Sequence, residues 1–371
     1  MEDLQTSIAI APGVYWVGKR DPESIFHANP FVRVFESDAG GAVQWFTMLI
    51  DPGSPSDCAV VASKVAGVLG SAARLSAFFL NHQDPDVASS TSFFSHRFAP
   101  RAHVLCSEDT WRLVVHYGIT HDRFRATERH LRRGLTLPTR HVVTFVPTPY
   151  CHFRGATMLY DPQTRVLFSG DLLGGLSPRG EGSLWADETA WPGMRAFHQI
   201  YMPSRVAIQR AVASIRALSP APEIIAPQHG GLLRGEWIEY YLRRLESLPV
   251  GVELLDESDD DVPAWNHVLR KILATAGNAG ADVERILSTD EMLADTTRFE
   301  QGRRMITHQG RWTVEHTMQT LGGALDRETM NVVVLEALAA ADVLQLPTPQ
   351  LDLEGMGYTT RPIQGNDDQS D

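Results

Sequence analysis

The apolar and polar positions alternate in two rhythms along this chain. In the first two thirds, short apolar runs of strand type are interleaved with longer stretches of helical spacing. "GVYWVG" and "PFVRVFE" have the two-residue period of strands. "AVQWFTMLIDPGS" reads as a strand closed by an Asp-Pro-Gly turn. "SDCAVVASKVAGVLG" has helical spacing, with Ser56 or Asp57 as the cap and Gly70 as the stop. "RLSAFFL" and "HVVTFV" read as short buried strands, and "ATMLYDPQTRVLFSGD" as a hairpin turning at Asp161-Pro162. "PSRVAIQRAVASIRAL" is an amphipathic helix, and "EIIAPQHG" is a strand running into a loop. Clustered strands with interposed helices predict an α/β (α+β) protein in which two sheets pack together with helices outside.

The rhythm changes at "GVELLDESDDDVP". Beyond it the spacing is helical in "AWNHVLRKILATAG", "TDEMLADTTRFEQGRRM", "TVEHTMQTLGGAL" and "RETMNVVVLEALAAADVL". The expected organisation is a domain over residues 1–250, an acidic connection over 251–262, a mostly helical domain over 263–350 and a disordered tail over 351–371. The last helix carries a broad apolar face. It should be buried, either in its own subunit's core or in a homodimer interface.

Composition narrows the function classes. With 33 basic and 45 acidic residues the net charge is −12, which argues against nucleic acid as a partner. The start, "MEDLQTSIAIAPGVYW", is acidic where a signal peptide is basic, and no run reaches the length of a membrane span. Cys58, Cys106 and Cys151 cannot all pair and match no zinc knuckle, so reduced thiols in a cytoplasmic protein are expected. No glycine-rich phosphate loop is present.

The chemistry is concentrated where apolar runs end. "FFLNHQDPDVASS" places His82, Asp84 and Asp86 at alternate positions after one run. His152, Asp171 and His229 follow three others. Pro85 biases Asp84 toward an extended conformation, and alternate residues of an extended segment share a face. One such residue is an ordinary loop residue. Six of them, each just past an apolar run, point to a metal cage mounted on rigid strand ends. Three imidazoles and three carboxylates exceed one tetrahedral zinc, so two ions are expected. The oxygen-rich set suits iron or manganese.

This arrangement resembles the metallo-β-lactamase superfamily, whose usual signature is H-x-H-x-D-H. More closely, it resembles the flavodiiron proteins and their flavodoxin-free relatives, the oxygen-binding di-iron proteins. The resemblance runs from about Pro12 to Arg234 and includes "NPFVRVFE", "LIDPGS", "LFSGDLLGG", "FHQIYMPSRVAIQ" and "IIAPQHGGLLRG". It implies a metallo-β-lactamase αββα sandwich with a C-terminal, mostly helical appendage. By the same resemblance, His82, Asp84 and His152 bind one iron, Asp86 and His229 the other, and Asp171 bridges them. Zinc and manganese are the alternative metals.

Two positions depart from the family pattern. Val87 follows Asp86 where a His is frequent, and zinc hydrolases use that His as a ligand. Asp84 stands where many flavodiiron proteins have Glu. A flavodoxin domain is not evident after Arg234, so no FMN is expected and electrons for O2, or for NO, would come from an external donor. The competing function is hydrolysis of an ester, lactone, thioester or phosphodiester. Beyond the ligands no catalytic residue is assigned. Tyr150, Trp185, Trp191, Phe197 and Tyr201 are candidate pocket walls, the last four in a long loop that could act as a lid.

Overall fold

In the computed structural model, residues 3–39, 42–177, 183–255, 261–300 and 302–350 are described. The chain divides into two compact units, Met1–Gly251 and Val252–Asp371.

The first unit is built on two sheets. The seven strands of the first are β1 (Ile8–Ala11), β2 (Val14–Trp16), β3 (Phe31–Ala39), β4 (Ala42–Ile50), β5 (Ala77–Phe79), β6 (His103–Cys106) and β7 (Phe124–Ala126), in that order. Pairing is antiparallel as far as β4 and parallel from β4 to β7. The second sheet contains β8 (Leu135–Thr136), β9 (Val142–Pro147), β10 (Thr157–Asp161), β11 (Val166–Gly170), β12 (Ile224–Pro227) and β13 (Leu233–Arg234), again in sequence order. Only β11 and β12 run parallel, and the chain between them supplies two helices.

Alternation along the strands sends side chains into three apolar layers. Between the sheets, Phe31, Met48, Ile50 and Phe79 meet Phe145, Leu159, Val166 and Phe168. Outside the first sheet, Leu49, Phe78 and Val104 pack under α1 (Cys58–Leu69), α3 (Ser90–Arg97) and α4 (Glu108–Val114); the short α2 (Pro85–Ala88) precedes α3. Outside the second, Met158, Tyr160, Leu167 and Ile225 pack under α5 (Trp191–Tyr201), α6 (Arg205–Arg216) and α7 (Glu236–Ser247). The order helix, sheet, sheet, helix is the αββα sandwich. One buried ion pair ties the sheets together: Arg33 Nε on β3 lies 2.6 Å from Asp161 Oδ2 on β10.

The second unit holds α8 (Val252–Leu255), α9 (Val262–Asn278), α10 (Val283–Leu287), α11 (Glu291–Thr296), a hairpin of β14 (Thr297–Glu300) and β15 (Arg303–Ile306), α12 (Gly310–Gly322) and α13 (Arg327–Val343). Trp265, Val268, Leu269 and Ile272 of α9 meet Val314, Met318, Met330 and Val333 in its core. One sequence expectation needs correction here, and two others meet the structure in part. The helical reading of "TDEMLADTTRFEQGRRM" holds only for α11, because Thr297–Glu300 opens a hairpin that turns at Gly302, whose φ is +77°. Of α13, expected to be buried within its subunit or in a homodimer interface, one face is covered within the chain, while Val332, Leu335 and Val343 are exposed at 52%, 66% and 80%. The stretch read as a lid after Asp171 contains helix α5; on either side of residues 178–182, which lie outside the described ones, Leu176 N–H donates to Gly193 O and Ala186 N–H to Leu232 O. The expected connection within 251–262 falls partly, and the tail 351–371 wholly, outside the described residues.

Candidate metal centre

All six sequence-selected side chains gather where strand ends of the two sheets meet. β5 ends at Phe79 and delivers His82; β11 ends at Gly170 and delivers Asp171; β12 ends at Pro227 and delivers His229. Asp84 is extended, with φ −63° and ψ 144°, and stands at the N-cap position of α2 without a side-chain capping bond; Pro85 and Asp86 form that helix's first turn. Asp84 and Asp86 therefore converge through a strand-to-helix turn, where strand alternation was expected.

The contacts fall into two lobes around Asp171. On one side, Asp171 Oδ2 is 3.1 Å from His152 Nε2 and 3.6 Å from His82 Nε2. Asp84 Oδ2 closes that lobe, 3.0 Å from His152 Nε2 and 3.6 Å from His82 Nε2. On the other side, Asp171 Oδ1 is 3.5 Å from His229 Nε2, which is 3.4 Å from Asp86 Oδ2. Several of these separations are too long for a good hydrogen bond. They match two donors of one ion, because ligands ~2.1 Å from a metal stand about 3.0–3.5 Å apart. The ligand atoms of His82, His152 and Asp171 all lie within 4.8 Å of one another.

Each lobe is buried on one side and open on the other. His82, Asp171 and His229 are almost fully buried, whereas the Asp84 and Asp86 side chains are about a third exposed. Buried Asp171 Oδ1 has no hydrogen-bond partner in the structure, and neither does His82 Nδ1. Unpartnered buried polar atoms are costly, so an orphan carboxylate oxygen aimed at an imidazole fits a cation. Electrostatics agree. Burial alone would lift the Asp171 carboxyl, but His82, His152 and His229 hold it well below its ordinary value. Burial alone would lower His152, yet its bonds to Asp171 and Asp84 raise it to about 10. These carboxylates hold positive charge on the imidazoles, and a metal would take the protons' place.

The residue before each deeply buried ligand locks to its neighbours. Gln228 N–H donates to Gly170 O at 2.9 Å. Gly170, with φ +66°, lets the Asn81 side chain press on its Cα, where a Cβ would stand 2.1 Å from Asn81 Oδ1. Asn81 N–H in turn donates to Asp51 Oδ1 at 2.9 Å. Burial raises Asp51 to about 7. His229 Nδ1 donates to His27 O at 2.9 Å, which leaves Nε2 for a ligand role. Asn29 holds the loop around it: its Nδ2 donates to Pro227 O and Gly230 O, and its N–H to Gln228 O. Gln83 Nε2 occupies Asp84 Oδ1 at 2.5 Å, so Asp84 offers Oδ2 alone.

The candidate wall residues separate into two groups. Phe197 lies 5.2 Å, centroid to centroid, from His229, and Tyr201 5.9 Å from His152. Tyr150, two residues before His152, is 52% exposed. Trp185 instead stacks under Arg234, and Trp191 is buried between Tyr241 and Arg244. The nearest aromatic to His229 is Phe26, stacked at 4.4 Å, which sequence reasoning passed over. Its only sequence signal is its place just ahead of "HANPFVRVFE". Val87 is fully buried under the first sheet and offers nothing to the site.

The four-layer fold, with the candidate ligands gathered at its strand ends, is metallo-β-lactamase-like. A family model described as "ODP family beta lactamase" matches residues 26–230, more than half of the chain, and the chain belongs to that family. The type A flavoprotein fprA of Rhodobacter capsulatus is 29% identical over 267 residues; the match takes in 66% of this chain and 57% of that protein. The chain thus spans little more than half the length of that curated relative. Among solved structures, "Peroxy diiron species of chemotaxis sensor ODP" superposes with TM-score 0.54 at 22% identity, covering 68% of this chain and 97% of that one. The flavodiiron protein of Giardia intestinalis gives TM-score 0.59 at 16% identity, covering 86% and 80%. At these identities the two structures speak for the fold.

Proposed function

We propose that this chain is a non-haem di-iron protein that binds O2 and activates or reduces it, with NO as a rival ligand. It would act as an oxidoreductase or oxygen sensor served by an external electron donor. The observation that carries the reading is the division of labour at Asp171, whose two oxygens face two different lobes. His82, Asp84 and His152 would hold one ion, Asp86 and His229 the other, with Asp171 shared. When bound, two ferrous ions would supply the redox chemistry.

The chain's own residues do the rest. The His229 Nδ1–H···O=C bond to His27 fixes the ring tautomer and aim. Phe26 and Phe197 cover the His229 ring and keep water from that side. The partly exposed Asp84 and Asp86 carboxylates mark the side from which a small molecule enters. Three carboxylates against two divalent ions leave a formal charge near +1, which favours small anionic or reducible ligands.

The rival is a dinuclear hydrolase of the same fold. Burial of Val87 counts against it, because the second lobe keeps only Asp86, His229 and a share of Asp171. That leaves open positions rather than the fuller set that the zinc hydrolases use.

Purified anaerobically from iron-replete cells, or loaded with iron in vitro, the full chain should carry close to two irons by elemental analysis. Its visible spectrum should change when O2 is added. Zinc in place of iron after iron loading, with an unchanged spectrum and turnover of a model ester, would replace this reading with hydrolysis.

A further inference from the structure

A second site lies away from the metal centre, on the segment that crosses from β7 to β8. Residues 121–141 hold six arginines and three histidines against two acids, in a chain whose net charge is −12. Within that segment, residues Glu128 to Thr136 curl around an open groove of about 680 Å³. This volume lies within the range of small-molecule pockets, roughly 300–1,000 Å³.

Four of the lining residues are Arg129, His130, Arg132 and Arg133, and the three arginines are exposed. Among the described residues no carboxylate pairs with any of these arginines. Some other arginines of the chain do find acids: Arg216 binds Glu239 and Glu246, and Arg154 and Arg112 share Asp109. The one acid in the groove, Glu128, is engaged elsewhere, since its Oε1 accepts the Glu108 N–H at 2.9 Å. The backbone under the groove is set by Gly134, whose φ is +69° and whose N–H donates to His130 O at 2.8 Å. The His130 ring rests 6.3 Å from Phe145 of the inter-sheet core. The groove is thus fixed through Gly134 and His130 and lined by three exposed arginines without carboxylate partners.

We infer that this groove binds a small multivalent anion bearing two or more phosphate groups. Guanidinium forks match phosphate oxygens in pairs, and three of them within nine residues suit a short phosphate chain better than one isolated charge. A long nucleic acid is disfavoured, because it would also meet the field of the acidic remainder. The inference is independent of the metal centre.

The test is calorimetric titration of the full chain with inorganic tripolyphosphate in about 100 mM salt, where charges more than a Debye length apart are screened. Saturable one-site binding is expected, with orthophosphate much weaker. The combined substitution of Arg129→Gln, Arg132→Gln and Arg133→Gln should weaken binding at least about tenfold. All three side chains are exposed, so the melting temperature should hold. Arg210→Gln, an exposed change on α6, should leave binding unchanged. Adenosine triphosphate serves as a second probe: tighter binding than tripolyphosphate assigns a nucleotide, and equal binding assigns the phosphate chain alone. No saturable binding, equal affinity in the triple variant, or capture of a long RNA but not of tripolyphosphate each overturns the inference.

Discussion

At the scale of single residues, Asp171 is the side chain on which both lobes depend, and Asp86 belongs to one lobe only. The change Asp171→Asn removes the charge facing His82, His152 and His229 at once. Its expected outcome is iron content falling from near two to well below one per chain. Asp86→Asn should leave about one iron, since His82, Asp84, His152 and Asp171 keep their geometry. Elemental analysis after identical loading separates the two, and equal losses would contradict the two-lobe reading. His198 makes a different prediction. It is wholly buried, accepts the Leu173 N–H at 3.1 Å and donates to Met194 O at 2.7 Å. Burial depresses its pKa to about 4. A depressed folded-state value means the contribution is complete above the unfolded value near 6.5 and is lost as pH falls toward about 4. Between pH 7 and 5 this group alone should cost about 2 kcal/mol of stability, read by denaturant titration of the metal-free chain at both pH values. Because the raised His82, His152 and His229 gain stability over the same range, the check is the difference from a His198→Asn variant; equal profiles for the two chains would show that His198 takes up its proton without unfolding. All six residues that the structure gathers were legible as polar side chains placed just after apolar runs. Phe26 was not, because ring stacking across 203 positions of sequence leaves no local pattern.

At the scale of elements, the centre is held by the residues that precede the ligands more than by the ligands themselves. Gly170 is the tightest of these points. Substituting alanine would place a methyl group against Asn81 Oδ1 and force a left-handed φ on a residue with a Cβ. The left-handed conformation alone costs roughly 1–2 kcal/mol. Since β5 and β11 are both fully buried, neither can retreat cheaply. Gly170→Ala should therefore lower both melting temperature and iron content, while an alanine at exposed Gly277 on α9, which meets no neighbouring atom, should lower neither. Retained iron with a lowered melting point would show that the interlock supports the fold without aiming the ligands. The two-sheet layering and the helices α1, α6 and α9 were readable because apolar periods mark them, with caps at α6 and α9 and a left-handed stop at α1. Ser204 caps α6 through Val206 N–H, and Gly70 ends α1 at φ +76°. The β14–β15 hairpin was hidden because charged residues alternate on its exposed side and mimic a solvated helix. Asp86 was misjudged as extended because Pro85, which does hold Asp84 extended, is also a favoured first residue of a helix.

At the scale of the whole molecule, the change of rhythm near residue 250 corresponds to two units with separate cores. The three apolar layers of the first unit draw on no residue beyond Val250, and the core of the second begins at Val262. All six candidate ligands lie in the first unit. A chain ending at Gly251 should accordingly fold alone, melt cooperatively and load iron as the full chain does. The position of the cut matters, and packing sets it. Leu248 and Val250 are buried in the layer under α5 to α7, and Gly251 bridges back to Ser204 at the start of α6. A chain ending at Ser247 keeps every helix and strand of the first unit but leaves that layer open. Each lost side chain removes roughly 1.5–3 kcal/mol of burial, so the shorter chain should be less stable by about 3–6 kcal/mol. Circular dichroism melts of the two truncated chains, side by side with iron analysis, decide the matter. Equal melting points would mean that residues 248–251 add nothing. A chain ending at Gly251 that fails to fold would mean that the sandwich depends on the helical unit, in spite of its separate core.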